Sequence, residues 1–285
     1  MRIVHDLIKV YTMDKKIAHI SFIGAGKMAT AIIKGLLKSG LFDKNHIVAS
    51  EPNVEYAHKM EKELGIKFVH NNREAAAEAD IILLAVKPFV VKDVLTEIED
   101  RIDDSKLIIS IAAGISSERI EEILEKEARI VRVMPNTPAL LGEGMSAVCK
   151  GKHASDEDLE TVMQILQSVG KVVKAQEKDI DAVTGVSGSG PAFYYYIIDE
   201  IAKAGEKLGL DYKTSLTLSA QTALGAAKMI LESGVEPNQL ITNVTTPGGT
   251  TAEGNKVLLE SNISDILFET VQKTAQKSEL MGKQL

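Results

Sequence analysis

Short β-branched runs alternate with amphipathic stretches through the first 178 residues. The apolar runs are IAHISFIG at 17–24, HIVAS at 46–50, DIILLAV at 80–86, KLIISIA at 106–112 and RIVRVMP at 129–135. Between them, residues 27–39, 53–64, 90–100 and 117–126 carry apolar positions at helical spacing. That alternation predicts a parallel sheet covered by helices on both faces. MSAVCKG at 145–151 reads as a further strand and GKVVKAQ at 170–176 as the last one. A helix at about 155–168 lies between them, opened by Ser155 with Asp156 and Glu157 in its first turn.

After residue 178 the period changes. Phe193, Ile197, Ile201, Ala204 and Leu208 recur at spacings of three and four, which predicts a helix from just after Pro191 to near Gly209. Leu216, Ala220, Ala223, Ala227 and Ile230 form a second stripe, whose small side chains allow another helix to approach closely. A third helical region follows TTPGGTT at 245–251, and a charged one occupies about 264–281. The pattern divides the chain into an N-terminal extension at 1–16, an α/β domain at 17–178 and an all-helical domain at 179–285.

Composition narrows the partners. The chain has 285 residues, 45% of them hydrophobic, enough for a large core. A net charge of −7 argues against nucleic acid or an anionic membrane as partner, because either needs a basic face to displace counterions. The apolar runs are far shorter than the roughly 20 residues that span a bilayer. Cys149 is the only cysteine, which excludes an internal disulfide and fits a reducing, cytoplasmic compartment. Residues 1–15 match no targeting pattern, and Met13 is a candidate start.

The chemistry begins at SFIGAGKMATAIIKGL. Gly24, Gly26 and Ala29 keep a G-x-G-x-x-A spacing directly after a predicted strand and at the opening of a predicted helix. Gly24 permits the tight turn, Gly26 lets a pyrophosphate approach the backbone, and Ala29 holds the helix close to the sheet. In its βαβ context this marks a Rossmann dinucleotide-binding domain, with Gly24, Ala25, Gly26, Lys27 and Met28 at the phosphates. Glu51, after the second strand, stands slightly beyond the spacing at which a carboxylate takes the adenosine ribose hydroxyls. A carboxylate there repels a 2′-phosphate, although a solvated loop glutamate gives the same sequence, so NADPH and NADH both stay open. Other strand ends supply Ala85, Val86, Lys87 and Pro88, then Ala112, Ala113 and Gly114, then Asn136 in MPNTP. Ligands of open α/β sheets lie outside the carboxyl ends of the strands, so these segments should line the cofactor crevice.

The helical half has no histidine. SGSGPAFYYY resembles the Gly-rich segment that opens the helix carrying the catalytic lysine in dehydrogenases of the 3-hydroxyisobutyrate type, yet here no lysine follows until Lys203. No His, Cys, Asp or Glu cluster has metal-ligand spacing, so the metal expectation is none. In NVTTPGGTTAEG, residues 243–254, Gly248 and Gly249 expose consecutive N–H groups at a helix start, and Thr250 and Thr251 add hydroxyls. Together they make a site for a small carboxylate.

GAGKMATAI, AVKP, SIAAGI, RVMPNTPA, GVSGSGPAF and TTPGGTT, in that order, give residues 17–280 a specific resemblance to the pyrroline-5-carboxylate reductase family. The chain departs from it after Thr251, where Ala252, Glu253, Gly254 and Asn255 replace an apolar residue, alanine, glycine and leucine. The resemblance implies NAD(P)H-dependent reduction of the cyclic imine 1-pyrroline-5-carboxylate to L-proline. It implies an all-α dimerisation domain interlocked with that of a second copy, and rings of dimers are the larger assembly it allows. Each site would join the cofactor crevice of one copy to TTPGGTT of the other. By the same resemblance Asn72 contacts the adenosine ribose and Asn243 the nicotinamide carboxamide. Thr246, Gly248, Gly249, Thr250 and Thr251 hold the substrate carboxylate, with Thr251, the catalytic candidate, on the ring nitrogen. SGSGPAFYYY then becomes a helix start, in which Ser187 to Gly190 turn the chain tightly and Pro191 takes the first helical position.

Overall fold

The computed structural model of the chain describes residues 18–283. The expected extension at 1–16, with Met13, lies outside the described residues. The strands are β1 Ile20–Ile23, β2 Ile47–Ser50, β3 Lys67–Val69, β4 Ile81–Leu84, β5 Leu107–Ser110, β6 Arg129–Met134, β7 Gly144–Lys150 and β8 Gly170–Lys174. Helices α1 Lys27–Ser39, α2 Val54–Leu64, α3 Asn72–Ala77, α4 Val91–Ile98, α5 Ser117–Leu124 and α6 Asp156–Gln167 run between them. They form one eight-stranded sheet in the order β3-β2-β1-β4-β5-β6-β7-β8.

The sheet is mixed, which corrects the expectation of a parallel one: β7 runs antiparallel to β6. The cause is the connection at 135–143, a single 3-10 turn at Thr137–Leu141. A parallel return needs a crossover of a dozen or more residues. β3 and α3 were not expected either. β3 is a three-residue edge strand whose Lys67 is exposed, too short to show a period.

Helices cover both faces, so β1, β4 and β5 are buried along their whole length. On one side Ile32, Ile33 and Leu36 of α1, Met60 of α2 and Val162 of α6 pack on Phe22, Leu83 and Ile109. On the other, Ala76 of α3, Leu95 of α4 and Ile120 of α5 pack on Ile82, Ile108 and Ile130. The register pairs Ile23 with both Ser50 and Leu84, and Leu84 with Ser110. The loops after β1, β2, β4 and β5 therefore leave the sheet at one level.

Beyond the sheet come α7 Ile180–Val183, a π-helical turn at Thr184–Gly188, α8 Gly190–Lys207, α9 Tyr212–Ser233, α10 Pro237–Val244, α11 Thr250–Glu260 and α12 Ile263–Lys283. Ser187 and Gly188 thus close the π-helical turn and Gly190 opens α8, with only a bend at Ser189 between them and not the tight turn expected, although Pro191 does occupy the first turn of α8. Contacts divide the chain into a unit ending at Gly188, which also takes α12 from Thr274 onward, and a unit Ser189–Lys273. The division falls after the expected boundary at 178–179 because Ile180 is fully buried in a cluster with Met134, Ala147 and Cys149.

In the second unit, α8 and α9 meet through small residues. A β-carbon on Gly205 would overlap Ser215 Oγ, and Ser219 Oγ donates to the Ile198 carbonyl at 2.9 Å. The Leu216 to Ile230 stripe does not make this contact: Ala220, Ala227 and Ile230 stay exposed.

Candidate active site

Gly24 follows β1 at φ +93°, and a β-carbon there would sit 2.9 Å from Val86 Cγ1 and 3.0 Å from the Ala85 carbonyl oxygen. Only glycine meets both conditions. Gly26 is the N-cap of α1 with no side-chain cap, and its missing β-carbon would face open space. Ala29 is fully buried beneath it. The first N–H groups of α1 thus point outward beside a vacated side-chain volume, at the positive end of a helix dipole. That is what a dinucleotide pyrophosphate requires, so the residues fit the cofactor.

The neighbouring strand ends leave the sheet at the same level. Glu51 Oε1 accepts the Asn53 N–H at 3.0 Å, which stations the carboxylate at the end of β2. Asn72 opens α3, where Ser50 Oγ donates to its Oδ1 at 2.6 Å and its Nδ2 donates to Glu97 Oε2 at 2.7 Å. Ser50 and Glu97 were missed as holders of this side chain, since no local pattern links residues that far apart. After β4, Ala85, Val86 and Pro88 are half-buried while Lys87 is exposed. After β5, Ala112 is buried, Ala113 half-buried, and Gly114 buried at φ +78°.

Asn136 is brought to the same side, yet its amide is engaged within the chain. Its Oδ1 accepts the Met145 N–H at 2.8 Å, and its Nδ2 donates to the Ser187 carbonyl at 3.2 Å and to Ser187 Oγ at 3.3 Å. Burial and the neighbouring Glu177 carboxylate push the Cys149 thiol up to about 12, so it carries no thiolate near neutral pH. Among the described residues no group of three or more His, Cys, Asp or Glu could hold a metal, and no helix is long and apolar enough to cross a membrane.

The second glycine-led helix start belongs to the unit Ser189–Lys273 and is described by itself. Gly248 takes φ +70° with open space where a β-carbon would be. Gly249 donates to the Thr246 carbonyl at 2.9 Å and caps α11 without any side-chain bond. Thr250 and Thr251 follow, both exposed in the first turn. Asn255, at the departure from the family pattern, donates from Nδ2 to Thr245 Oγ1 at 2.9 Å and so ties α11 to the end of α10. Asn243 is exposed and accepts from Gln239 Nε2 at 2.8 Å. Tyr194, Tyr195 and Tyr196 are all exposed on α8, with Phe193 half-buried.

Known proteins place this arrangement. Residues 177–281 match the family described as pyrroline-5-carboxylate reductase dimerisation, and residues 19–114 that described as NADP oxidoreductase, coenzyme F420-dependent. The pyrroline-5-carboxylate reductase of Methanosarcina acetivorans is 41% identical over 264 residues, which cover 93% of this chain and 98% of that protein. The chain belongs to the pyrroline-5-carboxylate reductases. As a member of that family this reductase is an NAD(P)H-dependent oxidoreductase. Its fold superposes on the Coxiella burnetii pyrroline-5-carboxylate reductase with a TM-score of 0.88 at 34% identity, covering 93% and 99% of the two chains. The Plasmodium falciparum pyrroline carboxylate reductase, solved with NADP bound, gives 0.83 at 34% identity over 93% and 98%.

Proposed function

We propose that this reductase converts 1-pyrroline-5-carboxylate to L-proline, the last step of proline biosynthesis, by dividing the work between its two glycine-led helix starts. The carrying observation is that α1 and α11 both open on a glycine with no side-chain cap. NAD(P)H, when bound, supplies the hydride. Gly24, Ala25, Gly26, Lys27 and Met28 bind its phosphates, Glu51 and Asn72 its adenosine ribose, and Asn243 its carboxamide. Ala85 to Pro88 and Ala112 to Gly114 wall the crevice. Asn136 serves it indirectly, by fixing Ser187.

The substrate side is built for an anion. The N–H groups and hydroxyls at Thr246, Gly248, Gly249, Thr250 and Thr251 hold the carboxylate. Thr251 also hydrogen-bonds the ring nitrogen, so that the emerging amine is steadied where charge changes. A protonated cyclic imine is already electrophilic, and no strong side-chain acid is required. Catalysis is then positioning and electrostatics.

The protein works as a homo-oligomer on a small molecule. In our reading the minimal unit is a dimer in which the crevice of one copy meets residues 245–251 of the other, and rings of dimers are its larger form. A single cysteine and the acidic charge fit a cytoplasmic enzyme without nucleic-acid or membrane partners. Steady-state kinetics on pyrroline-5-carboxylate with NADH and with NADPH test the reading. We expect turnover with both, and no turnover with either would overturn it.

A further inference from the structure

The loop after β5 is held from behind by the end of the chain. Gly114 carries φ +78°, and a β-carbon on it would lie 3.1 Å from the Ser278 carbonyl oxygen and 3.2 Å from Gly282 N. The converse is tighter: a β-carbon on Gly282 would overlap the Gly114 carbonyl oxygen. Two glycines thus bring the last turn of α12 onto the backbone of the loop, inside the same compact unit. Ser278, 4% exposed, donates from Oγ to Asp181 Oδ1 at 2.6 Å, which fixes that turn to α7. Ala113 packs against the cluster of Met134, Ala147, Cys149 and Ile180, whose last member precedes Asp181.

We infer that Gly282, Ser278 and Asp181 are positioning residues for nucleotide binding: they set the height of the Ala112–Gly114 loop above the sheet. This rests on the reading of that loop as a wall of the cofactor crevice. The loop has no helix N-terminus of its own at Gly114, because α5 begins only at Ser117 and is capped by Ser116. Its backbone position depends on what lies behind it. A methyl group at residue 282 has no free volume and must push the loop outward or α12 away.

The test measures NADH and NADPH dissociation constants by fluorescence titration, together with the separate KM values for nucleotide and for pyrroline-5-carboxylate, on folded oligomeric preparations. Gly282→Ala should weaken nucleotide binding by about tenfold or more, as expected of a displacement near 1 Å, with the KM for pyrroline-5-carboxylate within about twofold of wild type. Wild-type nucleotide affinity in a folded Gly282→Ala protein overturns the inference. Should that variant not fold, Asp181→Ala and Asp181→Asn decide. The alanine variant should weaken the nucleotide while asparagine, which keeps an acceptor for Ser278, restores it, and equal behaviour of the two overturns the inference. Gly26→Val separates the two readings, since its side chain enters open space and blocks only the pyrophosphate. Loss of nucleotide in Gly26→Val with wild-type affinity in Gly282→Ala overturns this inference alone. Unchanged affinity in Gly26→Val overturns the crevice assignment and this inference with it.

Discussion

Asn136 and Ser187 are tied by two hydrogen bonds, from Asn136 Nδ2 to the Ser187 carbonyl at 3.2 Å and to its Oγ at 3.3 Å. Asn136 is 9% exposed, and its Oδ1 holds the Met145 N–H as well. Asn136→Ala therefore leaves a half-buried donor, the Met145 N–H, and the half-buried Ser187 acceptors without their partner at once. It should lower unfolding stability by roughly 1–3 kcal/mol, measured by denaturant titration, and an unchanged midpoint would contradict the clasp.

The cofactor preference turns on Glu51. Its carboxylate is held at the end of β2 by the Asn53 N–H at 3.0 Å, and in the proposed binding mode an adenosine 2′-phosphate would meet it there. NADH should be used at least as well as NADPH. Glu51→Ser removes a repulsion of about 1 kcal/mol across a hydrated 4 Å, so NADPH affinity should rise about fivefold relative to NADH. A strong wild-type preference for NADPH would contradict this role.

Acid should loosen α6 through Asp158. Burial opposes its charge, but hydrogen bonds from Arg129 and from Ser155, and the Arg129 charge, outweigh it and hold the carboxyl below its ordinary value. A depressed folded value stabilises above the unfolded pKa of about 3.9 and loses that contribution as pH falls through the folded one. The stability difference between wild type and Asp158→Asn should be flat from neutral pH to about 5 and shrink below about 4. A difference that grows on acidification would contradict the assignment.

Assembly should be visible as dilution dependence. In the single chain Ala220, Ala227 and Ile230 of α9 remain exposed, along with Leu231, Leu259 and Phe268. That many uncovered apolar side chains in one unit is what a subunit interface supplies. Sedimentation should find a dimer as the smallest active species, and an active folded monomer would contradict the shared site.

Much of this was legible from spacing. The runs at 81–86 and 107–109 are apolar throughout because both faces of β4 and β5 are covered, and G-x-G-x-x-A announced the first helix start. What was not legible depends on distance in the chain. The antiparallel β7 follows from a connection at 135–143 that closes as a 3-10 turn, which composition does not show. The bonds of Asn72 to Ser50 and Glu97 leave no periodic trace. Asn136 looked like a crevice residue because of where its strand ends, and only the fold reveals that its amide faces Ser187.

Thr251 carries the sharpest catalytic prediction. It is exposed in the first turn of α11, after a glycine N-cap that leaves the helix start without a side-chain bond. With no histidine after His153 in the chain, the role proposed for its hydroxyl is to orient the ring and steady the emerging amine. It does not supply most of the driving force, which lies in the electrophilic imine. Thr251→Ala should reduce turnover by roughly ten- to a thousandfold, on the order of 1–4 kcal/mol of transition-state stabilisation. NADH affinity should stay within about twofold, because the phosphate and ribose contacts assigned to Gly24, Gly26, Glu51 and Asn72 belong to the other compact unit, and Asn243, assigned to the carboxamide, keeps its bond to Gln239. Both quantities are to be measured on one preparation after sedimentation shows that it still assembles. Wild-type turnover would leave Thr251 as part of a helix start and move the role to Thr250 and the neighbouring backbone N–H groups.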